Sequence, residues 1–217
     1  MMRDYAVARR RMVDEQIRDA GVTDPAVLGA MREVPRHRFV PRLLHHRAYQ
    51  GCALPIGHGQ TISQPFIVGL MTALLELKGD ERVLEVGTGS GYQAAILSRL
   101  AREVVSVERI EALALRAART LEELGCANVE IRAADGGDGQ PAAGPFDAVV
   151  VTACPPRLPS LLFHVLREGG VLVLPIGDDD DQILYRYRKV GGEAVVERSV
   201  ACRFVPMLDG VQKLAGE

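Results

Sequence analysis

Residues 85–108 carry the densest chemistry in this sequence. Glu85 is followed by alternate glycines, Gly87, Gly89 and Gly91, in the order Glu-Val-Gly-Thr-Gly-Ser-Gly-Tyr, and Glu108 stands seventeen residues after Gly91. Alternate glycines let the main chain approach a ligand closely, and N–H groups at the start of a following helix can cradle it. An acid at the end of the next strand suits a bidentate grip on the two hydroxyls of a ribose. These residues predict a site for a nucleoside-containing ligand. A tight strand-to-helix turn with glycines for packing alone is the competing reading, and Glu108 weighs against it. The spacing is G-x-G-x-G rather than G-x-G-x-x-G, and no Gly-Lys-Ser/Thr follows, so neither phosphate-binding fingerprint is met. Glu85 beside the turn would repel a pyrophosphate and favours a cationic ligand.

Two further stretches have residue types suited to a site. Leu54-Pro55-Ile56-Gly57-His58-Gly59-Gln60-Thr61-Ile62-Ser63-Gln64-Pro65-Phe66 packs glycines, hydroxyls and amides into a short span, which predicts a loop. Pro65 suits the first turn of a helix, so Ser63 falls just before a helix N-terminus, where hydroxyls and free N–H groups favour a carboxylate. Thr61 and Ser63 as simple capping residues fit the composition equally well. Asp135-Gly136 follows a short apolar run and could accept the exocyclic amine of an adenine; a surface turn would use the same residues. The acidic run from Asp178 to Asp181 predicts a solvated hairpin loop, since consecutive carboxylates point in different directions.

The elements that must hold these residues follow from the pattern. Val83–Val86, Val104–Val107, Val129–Ile131, Phe146–Thr152 and Val171–Leu174 are apolar, β-branched runs of strand length, with helical patterns between them over 92–102, 112–124 and 160–166. Strands alternating with helices predict a parallel sheet covered on both faces, with ligands at the carboxyl ends of the strands. Residues 183–189 and 195–205 flank Gly191-Gly192 and predict a closing antiparallel hairpin. Ahead of this core, Val13, Ile17 and Ala20 predict one helix. Asp24-Pro25 opens a second, whose apolar stripe is Val27, Leu28, Met31 and Val34, and Pro35 stops it. The basic segment from Arg36 to Arg47 reads as a solvated cover or as a dock for an anionic substrate, its histidines as surface residues.

The chain has 217 residues, 47% hydrophobic and 25% charged, with a net charge of −2. That suffices for one substantial domain burying about 70% of its unfolded surface. The balance offers no general attraction to nucleic acid or an anionic membrane. The apolar runs are too short to span a bilayer, and Met1 to Tyr5 lacks a signal-peptide core. Cys52, Cys126, Cys154 and Cys202 are scattered, which predicts reduced thiols, no metal site and a cytoplasmic protein.

The pattern Glu85 to Tyr92 resembles motif I of the class I S-adenosyl-L-methionine-dependent methyltransferases, whose donor is cationic and carries no phosphate. The chain as a whole resembles the protein-L-isoaspartate (D-aspartate) O-methyltransferases, from Met12-Val13-Asp14-Glu15-Gln16-Ile17 through Val34-Pro35-Arg36-His37 to Arg203-Phe204-Val205-Pro206. Its most specific motif is Pro55 to Pro65, which generic methyltransferases lack. The resemblance implies an α/β, Rossmann-like class I fold: a mostly parallel doubly wound sheet ending in an antiparallel hairpin, with an N-terminal helical extension. It implies one domain over 1–217, with a cover and substrate loop over 1–78 and a donor-binding core over 79–217. Ser63 is the implied catalytic residue. Gln60, Thr61, Ser63, Glu85, Gly87, Gly89, Gly91, Glu108, Asp135 and Gly136 are the implied S-adenosyl-L-methionine contacts, and Ile62, Ser63, Val205 and Pro206 the implied substrate contacts. The implied reaction methylates the free α-carboxylate of L-isoaspartyl residues in damaged proteins and peptides, leaving S-adenosyl-L-homocysteine. The ester then passes through a succinimide towards aspartate. The enzyme is expected to be a monomer without nucleic-acid or membrane partners. Departures from the family pattern fall at Tyr49-Gln50-Gly51-Cys52-Ala53-Leu54 and at Gly139-Gln140-Pro141. A small-molecule or RNA methyltransferase and a non-catalytic isoaspartyl-binding adaptor are the rival readings. The Pro55–Pro65 motif opposes the first, and intact Ser63, Glu108 and Asp135 oppose the second. A nucleotide-dependent oxidoreductase is opposed by the glycine spacing.

Overall fold

A computed structural model describes residues 5–137, 144–178 and 180–214. Gln140, and Asp179 of the acidic run, lie outside the described residues. Seven strands form one sheet in the order β5-β4-β3-β6-β7-β8-β9, comprising β3 (Arg82–Val86), β4 (Glu103–Glu108), β5 (Val129–Ala133), β6 (Phe146–Val151), β7 (Leu166–Gly177), β8 (Gln182–Val190) and β9 (Glu193–Cys202). β5, β4, β3, β6 and β7 are mutually parallel, and β8 and β9 close the sheet antiparallel, as the apolar runs and the Gly191-Gly192 turn predict. Period-two alternation divides the strands between two apolar faces. Val83, Val104, Ala148, Val150, Val171 and Val173 pack with Ile67, Met71 and Leu97 on one face. Leu84, Val86, Val105, Val107, Val149 and Val151 pack with Leu162 on the other. Strands covered on both sides become unbroken apolar runs, which is why they could be read directly.

The sheet reverses direction of growth at β3, which has β4 on one side and β6 on the other. Such a switch point opens a crevice beyond the carboxyl ends of the strands. Gly91 takes the left-handed conformation (φ 88°) at the N-cap of α4 (Tyr92–Leu97), which is five residues shorter than the composition predicts. α5 (Glu111–Glu123) follows β4, and α6 (Ser160–His164) is only a short turn before β7. β7 begins at Leu166, not Val171, and its register slips between Phe146 and Ala148 of β6, which absorbs Gly169-Gly170 as an irregularity.

The N-terminal extension consists of α1 (Tyr5–Arg11), a π-helical segment (Met12–Arg18) and α2 (Pro25–Glu33). The Asp24 carboxylate accepts from the N–H groups of Ala26 and Val27 at 2.8 and 3.2 Å, the expected N-cap. Met12, Val13, Ile17, Val27, Leu28 and Met31 join Tyr92 and Ile96 in one cluster, whereas Ala20 is exposed.

Two expectations need correction. Residues 54–62 form a hairpin of β1 (Leu54–Gly57) and β2 (Gln60–Ile62), because Leu54, Ile56 and Ile62 alternate inward and His58-Gly59 supply positive φ at the turn. The basic segment is not uniformly a surface: Arg36 is fully buried, and His37 is half-buried, stacked on Tyr5 and hydrogen-bonded through Nδ1 to the Tyr49 hydroxyl at 2.8 Å. Burial with His45 and Arg9 nearby pushes His37 down to about 4.

Candidate functional site

β3 ends at Val86, and the glycine turn leaves the sheet there. Gly87 N–H and Thr88 N–H both donate to the Val107 carbonyl, at 2.8 and 3.2 Å, so the turn folds across the end of β4. From the other side Thr152, just past β6, donates its N–H to the Val86 carbonyl at 2.9 Å and its hydroxyl to the Gly87 carbonyl at 2.5 Å. Gly87 (φ 97°) has no room for a side chain, because a Cβ would collide with the Thr152 hydroxyl. Gly136, after β5, is equally constrained, since a Cβ would run into Val86. The ends of β3, β4 and β6 are thus tied by main-chain bonds, and glycine at 87 and 136 leaves room for the close approach.

Glu108 completes this floor. Its Oε2 accepts from Gly89 N–H at 2.8 Å and its Oε1 from Ile110 N–H at 2.9 Å. The carboxylate is 5% exposed and faces the crevice. Each oxygen retains a further lone pair, which suits two adjacent hydroxyls of a ligand.

The opposite wall is the β1–β2 hairpin and α3 (Pro65–Leu74), with Pro65 at the predicted first position. Arg116 of α5 holds the hairpin by donating to the Ile56 carbonyl at 2.6 Å. A strap over 203–214 roofs the crevice. Its ties are Cys154 N–H to the Val205 carbonyl (2.8 Å), Met207 N–H to the Cys154 carbonyl (2.9 Å), Gly210 N–H to Asp135 Oδ2 (2.6 Å) and Gln212 N–H to the Arg109 carbonyl (2.7 Å).

The resulting cleft encloses about 950 Å³ including its open mouth. Gln60, Thr61, Ile62, Ser63, Gly87, Gly89, Glu108, Gly136, Val205 and Pro206 all line it, so ten residues singled out in the sequence share one chamber. Three others stand off the wall. Gly91 faces Ala117 of α5, and the Asp135 carboxylate accepts from Gly137 and Gly210 N–H groups. Glu85 has no exposed surface. Its carboxyl accepts from the Ser106 hydroxyl, which also bonds Thr88 Oγ1 at 2.6 Å, and burial pushes it up to about 8.

Thr152, Gln93, Arg109 and the strap residues Met207 and Leu208, none of them expected from the sequence, also line the cleft. Thr152 could have been found from its place at the carboxyl end of a strand beside the switch point. The strap carries no local signal. Among the described residues the charged side chains on the cleft wall are Glu108 and Arg109, and no histidine or lysine is present there. The Ser63 hydroxyl has no hydrogen-bond partner among the described residues, so no base is poised to activate it as a nucleophile. A second cavity meets the first at Thr61, Ser63, Thr152 and Val205 and extends between Ala53, Gln64, Ile67, Arg203 and Phe204.

A family model described as protein-L-isoaspartate(D-aspartate) O-methyltransferase matches residues 8–212. Among solved structures, a protein-L-isoaspartate O-methyltransferase superposes with a TM-score of 0.82 and 29% identity, covering 93% of this chain and 67% of that one. A protein-L-isoaspartate O-methyltransferase from Plasmodium falciparum, solved with S-adenosyl-L-homocysteine, gives 0.81 and 25% identity over 92% of this chain and 98% of that one. A precorrin-6y C5,15-methyltransferase from Geobacter metallireducens shares the fold alone, at 15% identity and a TM-score of 0.50 over 68% of this chain and 92% of that one. The family match runs from within the first helix to the strap that roofs the cleft, so it takes in every wall of the site, and the chain belongs to the protein-L-isoaspartate (D-aspartate) O-methyltransferase family.

Proposed function

We propose that the chain methylates the free α-carboxylate of L-isoaspartyl residues in damaged proteins and peptides, using S-adenosyl-L-methionine held in the cleft. The ester then closes to a succinimide, whose hydrolysis returns part of the residue to aspartate. The residues present fit the donor. Gly87, Gly89 and Gly136 keep the floor free of side chains, and Glu108 has lone pairs for the ribose hydroxyls. Asp135 and Gly136 border the adenine end, and Gly87 and Gly89, with Glu85 behind them, the methionine end. Bound there, the donor supplies an activated methyl group on a sulfonium.

The observation that carries this proposal is the division of the cleft: a nucleoside floor at Glu108 faces the Ser63 loop, with no acid–base pair between them. A carboxylate with a pKa near 4 is already ionised at pH 7 and needs no base. Ser63 is then an orienting donor to that carboxylate, while Ile62, Val205 and Pro206 exclude water beside it. Holding the reactants in line supplies up to roughly 7–11 kcal/mol through proximity.

The proposal extends to a single domain over 1–217, with 1–78 as cover and substrate loop and 79–217 as donor core. It also extends to a cytoplasmic monomer without nucleic-acid or membrane partners, in keeping with the net charge of −2. Among the described residues no helix is long and apolar enough to cross a membrane. The test is transfer of radiolabelled methyl from S-adenosyl-L-methionine to an isoaspartyl peptide and to its aspartyl twin. Base-labile label on the isoaspartyl peptide alone supports the proposal. Equal labelling of both, or donor binding with no transfer, overturns it.

A further inference from the structure

Arg36 is among the largest fully buried side chains of the described residues, with no exposed surface. It lies in a 3₁₀ turn (Arg36–Phe39) directly after Pro35, far in sequence from every wall of the cleft. Nε donates to the Ala48 carbonyl at 2.8 Å, and Nη2 donates to the Ser63 carbonyl at 2.7 Å. The guanidinium carbon stands 4.9 Å from the centroid of the Tyr92 ring. Ser63 and Tyr92 both line the cleft, so the guanidinium sits one residue behind its wall. No carboxylate pairs with Arg36 among the described residues, and Nη1 has no hydrogen-bond partner. The Tyr92 hydroxyl is likewise buried, with the Arg36 guanidinium as its polar neighbour.

A buried charge with no counter-ion is costly, and an apolar residue of similar size often serves packing equally well. Holding the carbonyls of Ala48 and Ser63 in place needs only neutral donors. A cation at this position therefore calls for an account beyond packing, and the substrate group brought to this wall is an anion. We infer that Arg36 is a positioning residue for methyl transfer. Its fork fixes the Ser63 main chain and the Tyr92 ring, and its charge, masked by no carboxylate, draws the substrate α-carboxylate to that wall. This inference rests on the proposed function. The two duties separate kinetically. The charge acts on the bound anion, which becomes a neutral ester during transfer, so it favours binding over the chemical step. The fork sets alignment, so it governs the chemical step.

The test compares wild type, Arg36→Lys and Arg36→Met in steady-state transfer to an isoaspartyl peptide, alongside calorimetric binding of S-adenosyl-L-homocysteine. Arg36→Met is expected to raise the peptide KM about tenfold or more and to lower kcat up to about 100-fold, the scale of a misplaced reacting group. Arg36→Lys should restore most of the KM but not kcat, since an ammonium keeps the charge and loses the planar fork. S-adenosyl-L-homocysteine affinity should fall much less than peptide affinity, because the hydrogen bonds of the fork reach Ala48 and Ser63 and none reaches Glu108. Unchanged peptide kinetics in both variants overturn the proposal. So does loss of peptide and S-adenosyl-L-homocysteine binding in the same proportion, or failure of both variants to fold, since each marks a purely structural arginine. If Arg36→Met alone fails to fold, Arg36→Lys decides by the same criteria. Wild-type inactivity on the peptide would instead overturn the functional proposal itself, and this one with it.

Discussion

Ser63 and Glu85 show how differently two side chains in one small region can be engaged. The Ser63 hydroxyl is held by no neighbour among the described residues, so Ser63→Ala should leave the melting temperature unchanged. It should lower kcat for isoaspartyl peptide about tenfold or more, because a hydrogen bond to a charged group contributes about 1.5–3 kcal/mol. Full activity in that variant would remove Ser63 from the reaction. Glu85 is raised from 4.5 to about 8 mainly by burial, with the Ser106 hydroxyl opposing the shift and Glu108 adding to it. Between those values the folded chain holds a proton that the unfolded chain releases, so stability falls as pH rises from 4.5 through 8. Glu85→Gln removes that titration, and its melting temperature should fall less steeply than the wild type's between pH 4.5 and about pH 8. Parallel melting profiles would show that Glu85 does not carry the dependence. At this scale the sequence was legible wherever type and spacing coincide, as for Glu108 after Gly87, Gly89 and Gly91. Arg36 was hidden because one arginine among seven basic residues looks solvated; its burial is decided by the carbonyls of Ala48 and Ser63, twelve and twenty-seven residues away.

Among the elements, the central strands β3, β4, β6 and β7 are legible because burial on both faces leaves them largely apolar, whereas β5 at the edge keeps Glu130 and Arg132. The β1–β2 hairpin is not legible because its inward alternation is only Leu54, Ile56 and Ile62, interrupted by the His58-Gly59 pair whose positive φ makes the turn. The junction of β5 and β3 depends on one close approach, that of Gly136 to Val86. Gly136→Ala should therefore displace the loop after β5 and weaken S-adenosyl-L-homocysteine binding, with a loss of about 1–3 kcal/mol in stability. Trimming the neighbour should restore part of the binding, so Val86→Ala in the Gly136→Ala background is expected to bind more tightly than Gly136→Ala alone. Additive losses in that double-mutant cycle would show that the two residues do not meet.

Across the whole molecule, the parallel core builds the floor of the site, while the N-terminal extension and the strap build its walls and roof. The core follows from strand–helix alternation. The strap does not, because residues 203–214 are held by scattered hydrogen bonds to Cys154, Asp135, Arg109, Glu111 and Gln182 rather than by any periodic pattern. A chain truncated after Val205 should keep its sheet and melt only a few degrees lower. It should bind S-adenosyl-L-homocysteine about tenfold or more weakly, because Pro206, Met207 and Leu208 no longer cover the cleft. Unaltered affinity would show that the roof is dispensable. The two cavities share a partition at Thr61, Ser63, Thr152 and Val205 but open between different elements, one under the strap and the other beside Ala53, Gln64 and Arg203. With two openings, peptide entering by the second would come and go while the adenosyl compound stays in place. S-adenosyl-L-homocysteine should consequently inhibit competitively against the methyl donor and non-competitively against the peptide, so that a build-up of spent donor slows repair however much damaged protein is present.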